Sequence, residues 1–332
     1  GLAVDGNLLA RANADGNVGT GADIAQTGFI DVSGTATFVT GAHSGGLQTS
    51  ELGSITLNDP ENRFGGAVSA LGADVSIAAE TDLTLDTVRS VAAGGGTGAI
   101  TATADGFIDA ADLRADAAIA LTAGTALTVL NAGADGDVSL TAGAAGGAAL
   151  MRLDNVAAGG ALTAGSSGGV IGIDVQSAGA MALTGGDTID LSGVEAATTF
   201  SADTTANSAA DIIAADLNVG GAATLTAGAA MDLARVAITT DGGSVQARRV
   251  FATAALTIEA SGTIQADRIV SMGDMQLWAG GGSGAGDGDL RIAGVVVGGS
   301  LAAESGRGAI RTFATTAGDA VAAPGAVADG LD

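Results

Sequence analysis

The chain has 332 residues, 56 of them Gly, with no Cys, no Tyr and only 2% aromatics. Its twelve basic residues are all Arg and face 36 acidic ones, a net charge of -24. Thiol and disulfide chemistry are excluded, and neither nucleic acid nor an anionic membrane surface suits so acidic a chain, because both need a basic footprint. No run of 18 apolar residues is present, so no membrane span is expected.

Residues 1–68 read as less regular coils. The chain starts at Gly1 in mid-pattern, as in a processed protein or a slice of a longer one. Asp5-Gly6-Asn7 and Asp15-Gly16-Asn17 are turn signals ten residues apart. Phe29 to Val32 and Ala36 to Val39 read as strands. Leu52 to Leu57 then leads into Asn58-Asp59-Pro60-Glu61-Asn62-Arg63-Phe64-Gly65-Gly66-Ala67-Val68. Pro60 cannot donate to a ladder, so this stretch is a corner or an excursion.

Residues 69–316 read as a regular array. Leu-Thr-Ala-Gly occurs at Leu121, Leu140, Leu162 and Leu225, with a near copy at Leu183. The steps are 19, 22, 21 and 42 residues, the last being two periods of 21. Self-similarity at such a period signals a solenoid. Taking the motif Leu as position zero, apolar residues recur two before it (Val75, Ile100, Ile119, Met181, Leu256). They recur again six, eight and eleven after it, as at Leu83, Leu85 and Val88. Ile77, Ala102 and Ile258 hold position zero where the motif is absent. Apolar pairs two apart mark strands with one buried face, and Gly or Ala-Gly marks the corners between them. The expected fold is an all-β, right-handed parallel β-helix. It should have about 16 coils of roughly 21 residues, three short strands in each and a length near 75 Å. A narrow interior of Val, Ile, Leu and Ala needs few aromatics.

Ile108 to Leu121 and Ser208 to Val219 also suit helices, the second with Ser208 and Asp211 at capping-box spacing. Their kinship with Ile264 to Ile269 favours strand. Residues 279–289 read as a Gly-rich loop, and residues 317–332, around Pro324, as a linker or terminal segment.

Gly53-Ser54-Ile55-Thr56-Leu57-Asn58, Asn62 to Val68, Val75-Ser76-Ile77 and the Leu-Thr-Ala-Gly coils resemble the repeats of filamentous-haemagglutinin-like exoproteins. These are surface proteins of Gram-negative bacteria exported by two-partner secretion. The resemblance covers about residues 50–316. It implies a secreted or outer-surface location and a role in adhesion or filament building.

Candidate chemistry is sparse. The outward neighbours of position zero, such as Thr122, Thr141 and Thr163, form a small polar stripe that suits strands and also suits lateral packing of rods. Asp109, Asp112 and Asp116, and Asp287 with Asp289, are the sets that would take Ca²⁺, although Asp-Gly at 105–106, 135–136 and 241–242 favours solvated turn aspartates. His43, the only His, stands beside Ser44 and reads as a surface residue. Arg248-Arg249 reads as a maker of surface ion pairs. We assign no catalytic, cofactor or metal residue. The expectation is a non-enzymatic structural or adhesive segment that self-associates into fibres, continues in a longer chain, or binds a surface glycan or receptor. The alternative is a carbohydrate-binding or carbohydrate-cleaving β-helix.

Overall fold

The computed structural model describes residues 1–12, 22–41, 52–93, 96–204, 206–207, 210, 212–219, 223–233, 236–238, 245–252, 256–260, 263–271, 274–279, 289–305 and 308–313. They belong to two compact units, Gly1–Gly168 and Gly169–Asp332. Each is an all-β parallel β-solenoid, and among the described residues there is no helix. His43, Ser44, Asp287, the Asp-Gly at 241–242 and the segment 317–332 lie outside the described residues.

The first unit begins with layers of three separate strands. Leu2–Val4, Leu8–Ala12 and Ile24–Ala25 lie under Ile30–Val32, Ala36–Thr40 and Ile55–Leu57, all parallel and in register. Arg63–Phe64, Val68–Gly72 and Val75–Ala79 form the next layer. From Leu83 the layers change. An eight-residue strand alternates with a five-residue one: Leu83–Ser90 with Ile100–Ala104, then Ile108–Ala115 with Ile119–Ala123.

The eight-residue strands carry a bend. In Leu83–Ser90 the residues at positions 1, 3, 6 and 8 are buried, while Asp86 and Thr87 at the middle both face out. A flat strand would alternate without that break. In one layer the strand is divided at this point into Leu127–Val129 and Ala132–Ala134. The middle residue there takes a left-handed backbone in other layers, at Asn155 (φ 52°) and, in the second unit, at Asp174 (φ 53°) and Gly193 (φ 66°). Asn, Asp and Gly are the residues that enter this region most cheaply. In the first unit the Asn155 amide also donates to Asn131 Oδ1 at 2.8 Å, and the Asn131 amide donates to the Ala111 carbonyl at 3.2 Å. Side-chain amides thus carry the ladder across the bend.

Inward columns are apolar, as expected from the spacing. Leu83, Ile108, Leu127 and Met151 stand in register and fully buried, as do Val88, Leu113 and Val156 with Ala132. Both segments with helical potential are strands, Ile108–Ala115 and Ile212–Val219. Their alternating apolar residues pair with neighbouring layers, and ladder partners outweigh local helix propensity.

Two register assignments need correction. Leu121 stands over Leu140, but Leu140 stands over Ala164, while Leu162 pairs with Val138. The third copy of the motif, at Leu162, is therefore displaced by two residues. Residues 143–150 make the corner after Ala142 longer, and an even shift keeps the same faces inside. In the second unit Leu183, Ala202 and Leu225 are in register, so the long step divides into 19 and 23 residues. Beyond it Ile258 pairs with Val236, not with Leu225. Ala223–Leu233 runs as one eleven-residue strand through a corner, and Val245–Ala252 pairs along it instead.

Candidate functional site

The five-residue strands of the first unit present one continuous outward column. Ala78, Thr103, Thr122, Thr141 and Gly165 are neighbours across successive layers. Beside them run Ser76, Thr101, Ala120, Ser139 and Thr163. Thr163 thus belongs with Ser139, and Thr103 takes its place beside Thr122 and Thr141. Inward residues between the two columns, such as Ile77, Ala102, Leu121 and Leu140, are buried. The resulting face is low, mildly polar and kept in register by the ladder beneath it.

Aspartates turn out to be structural in a way that turn chemistry alone does not express. Asp82 precedes the strand Leu83–Ser90, and its Oδ1 accepts the Phe107 N–H at 3.0 Å, just ahead of the next layer's strand. The Leu83 N–H bonds to the carbonyl of the same Phe107 at 2.9 Å. The carboxylate therefore adds one more rung in front of the ladder. Asn7 does the same to Thr35, Asp23 to Ser54, Asp74 to Ala99 and Asp137 to Ala161. In the second unit Asp274 takes Ser300 and Asp289 takes Ala309. The signal was in the sequence, as Asp or Asn immediately before an alternating apolar run.

Asp74 is the most heavily bonded. Its Oδ1 accepts the N–H groups of Thr97, Gly98 and Ala99 and the Thr97 hydroxyl, all at 2.9 to 3.0 Å. Partial burial pushes this carboxyl up, but the hydrogen bonds outweigh it, so the group lies below the usual carboxylate range. Asp289 is lowered as well, first by the Ala309 N–H and then by Arg291, whose Nη2 lies 3.0 Å from Oδ2.

The candidate Ca²⁺ set is not brought together. Asp109 faces outward between Thr84 and Thr128. Asp112 pairs with Arg114 at 3.2 Å, and Asp116 reaches the Ala92 N–H at 3.0 Å. Among the described residues no three His, Cys, Asp or Glu side chains group closely enough to hold a metal ion. Arg248 and Arg249 lie in the strand Val245–Ala252. Trp278 stands in register between Glu259 and Glu304.

Asn62 is the residue that sequence reasoning missed. It is fully buried within the first unit, and every polar atom of its amide is used. Oδ1 accepts from the Ile30 N–H at 2.8 Å and from Gln26 Nε2 at 2.9 Å. Nδ2 donates to Gln26 Oε1, Leu57 O and Ala78 O at 3.0 to 3.1 Å. One side chain thus pins three layers together. The neighbouring Arg63–Glu80 contact at 2.6 Å is exposed; hydrogen bonding to Arg63 holds the Glu80 carboxyl down and raises the guanidinium in turn.

No family model, curated protein or solved structure matches the chain.

Proposed function

We propose that this chain is a non-enzymatic structural and adhesive segment of a bacterial extracellular surface protein of the filamentous-haemagglutinin-like type. In this reading the coils, of about 21 residues and three short strands each, form a right-handed array that extends a rod or stacks into a fibre. The observation that carries the reading is the outward column Ala78, Thr103, Thr122, Thr141 and Gly165, held in register above buried apolar columns. A parallel ladder fixes the spacing of such a face at about 4.8 Å per layer, and short side chains let another flat surface approach closely. The partners proposed are further copies of the chain and a glycan or receptor on a neighbouring cell.

Electron microscopy of the purified chain tests this, with and without a chelator. Fibres or laterally bundled rods are expected. Replacing Thr103, Thr122 and Thr141 by Lys should disperse bundles by placing like charges face to face. Bundling that survives this triple change overturns the lateral face. Isolated particles that neither associate nor bind any glycan on an array overturn the reading as a whole.

A further inference from the structure

Outward positions on the strands of the first unit are mostly small or polar, with Leu9 an exposed apolar exception and a pair of apolar residues on the two layers that follow it. Val39 of Ala36–Thr40 and Leu71 of Val68–Gly72 face outward side by side and half-buried. Arg89 follows them in the same column. Between Leu85 and Val88 the pairing with Val68–Gly72 shifts, as a bulge that takes up Asp86 and Thr87. Bulges re-aim side chains and open a sheet locally, and they recur beside binding sites. Here a cavity of about 310 Å³ opens, with Val39, Leu71, Val91 and Arg89 around it and Phe38 and Leu52 beneath. Its volume falls within the roughly 300–1,000 Å³ of ligand pockets.

Thr37, Ser69 and Thr87 add hydroxyls to the lining, with Ser69 donating to Asp86 at 3.4 Å, and Arg89 is the one charged residue among those that line it. Arg89 is exposed and makes no ion pair or hydrogen bond with any described residue, whereas Arg114, next in its column, is tied to Asp112 at 3.2 Å. A guanidinium presents a planar fork that matches a carboxylate, and here it borders an apolar wall. We propose that this cavity binds a medium-chain aliphatic carboxylate, its chain against Val39, Leu71 and Val91 and its head group on Arg89. The charge pattern selects this class: the apolar wall takes the chain, and the uncommitted cation takes an anion that the rest of this acidic surface repels. The inference is independent of the adhesive reading.

Isothermal titration of the full chain with decanoate, kept below the concentration at which it forms micelles, tests the site. Saturable one-to-one binding is expected. Arg89→Gln should weaken decanoate by about tenfold, the worth of one charge-assisted contact, while changing 1-decanol binding less than about twofold. Leu71→Gln, at an outward position, should weaken both. Circular dichroism melts confirm that each variant is folded. Absence of saturable binding overturns the proposal, as does an Arg89→Gln chain that binds decanoate like the parent. Equal affinity of the parent for decanoate and decanol removes the role of Arg89 and overturns it too.

Discussion

At the scale of single residues, the solenoid depends on amide and carboxylate groups that replace missing backbone partners. Asn62 shows the size of the effect. Its replacement by Ala leaves the Ile30 N–H, the Leu57 and Ala78 carbonyls and the Gln26 amide short of partners in a buried site. At about 1–3 kcal/mol for each group left unsatisfied, with water able to reach some of them, Asn62→Ala should cost on the order of 3 kcal/mol. Urea unfolding followed by circular dichroism reads this directly. Asn58→Ala removes only the exposed contact with the Ser76 hydroxyl at 2.6 Å, and it should fall within about 0.5 kcal/mol of the parent. Equal losses for the two variants would remove Asn62 from its place as a pin.

Asp74 makes a different statement, one that depends on pH. Its carboxyl is lowered in the folded chain, so the unfolded chain binds the proton more readily. Its contribution is therefore complete above the ordinary carboxylate range and is lost as pH falls through the folded value. Asp74→Asn keeps one carbonyl acceptor and removes the charge. The parent should melt higher than Asp74→Asn at pH 7, and the gap should narrow as pH falls into and below the ordinary carboxylate range, closing only when the folded carboxyl takes its proton. A gap that does not depend on pH would mean that shape, and not charge, matters at this corner.

At the scale of strands and corners, periodicity made most of the fold legible. Apolar residues two apart identify strands because a pleated chain shows alternate faces, and Val75, Ile77, Leu83, Leu85 and Val88 are all buried as that rule requires. Register was harder to read. The tetrapeptide at Leu162 looks like the one at Leu140, yet Leu140 pairs with Ala164. An even shift costs nothing in face alternation, so the motif alone could not reveal it. Corner length decides it, and corners carry little periodic signal. Asn62 was illegible for a related reason: its partners Gln26 and Ala78 are distant in sequence, and no local pattern marks a buried amide. The register makes a quantitative claim about Ala164, which is fully buried opposite Leu140. Ala164→Leu should overpack the interior and cost about 1–3 kcal/mol. Leu140→Ala alone should cost about 2–5 kcal/mol through the space it leaves. The double variant should be more stable than the sum of the two changes, because the new Leu fills part of that space. Strict additivity in urea unfolding would show that the two side chains do not meet.

At the scale of the whole molecule, charge governs what the flat face can do. A net charge of -24 opposes any association between copies, whatever their faces offer. Two routes relieve it, and they act differently on the fold. Salt shortens the Debye length from about 10 Å at 0.1 M to about 3 Å at 1 M and leaves the carboxylates ionised. Acid moves the chain toward its isoelectric point near 4.1 and removes the charge itself. Acid also reaches the ordinary carboxylate range, where the unfolded chain takes up protons that Asp74 and Asp289, held lower by hydrogen bonds between layers, still refuse in the fold, so the folded state loses ground. Sedimentation velocity at pH 7 should therefore show association rising with salt while the circular dichroism spectrum and melting temperature stay level. At low salt, lowering the pH toward 4 should also raise association, but with a falling melting temperature. The Lys triple variant at positions 103, 122 and 141 separates the face from the charge. It lowers the net negative charge by three and so should associate more readily if repulsion alone were limiting. If the threonine face is the contact, it should associate less than the parent at high salt, and the opposite order would assign association to charge and leave the face without a role.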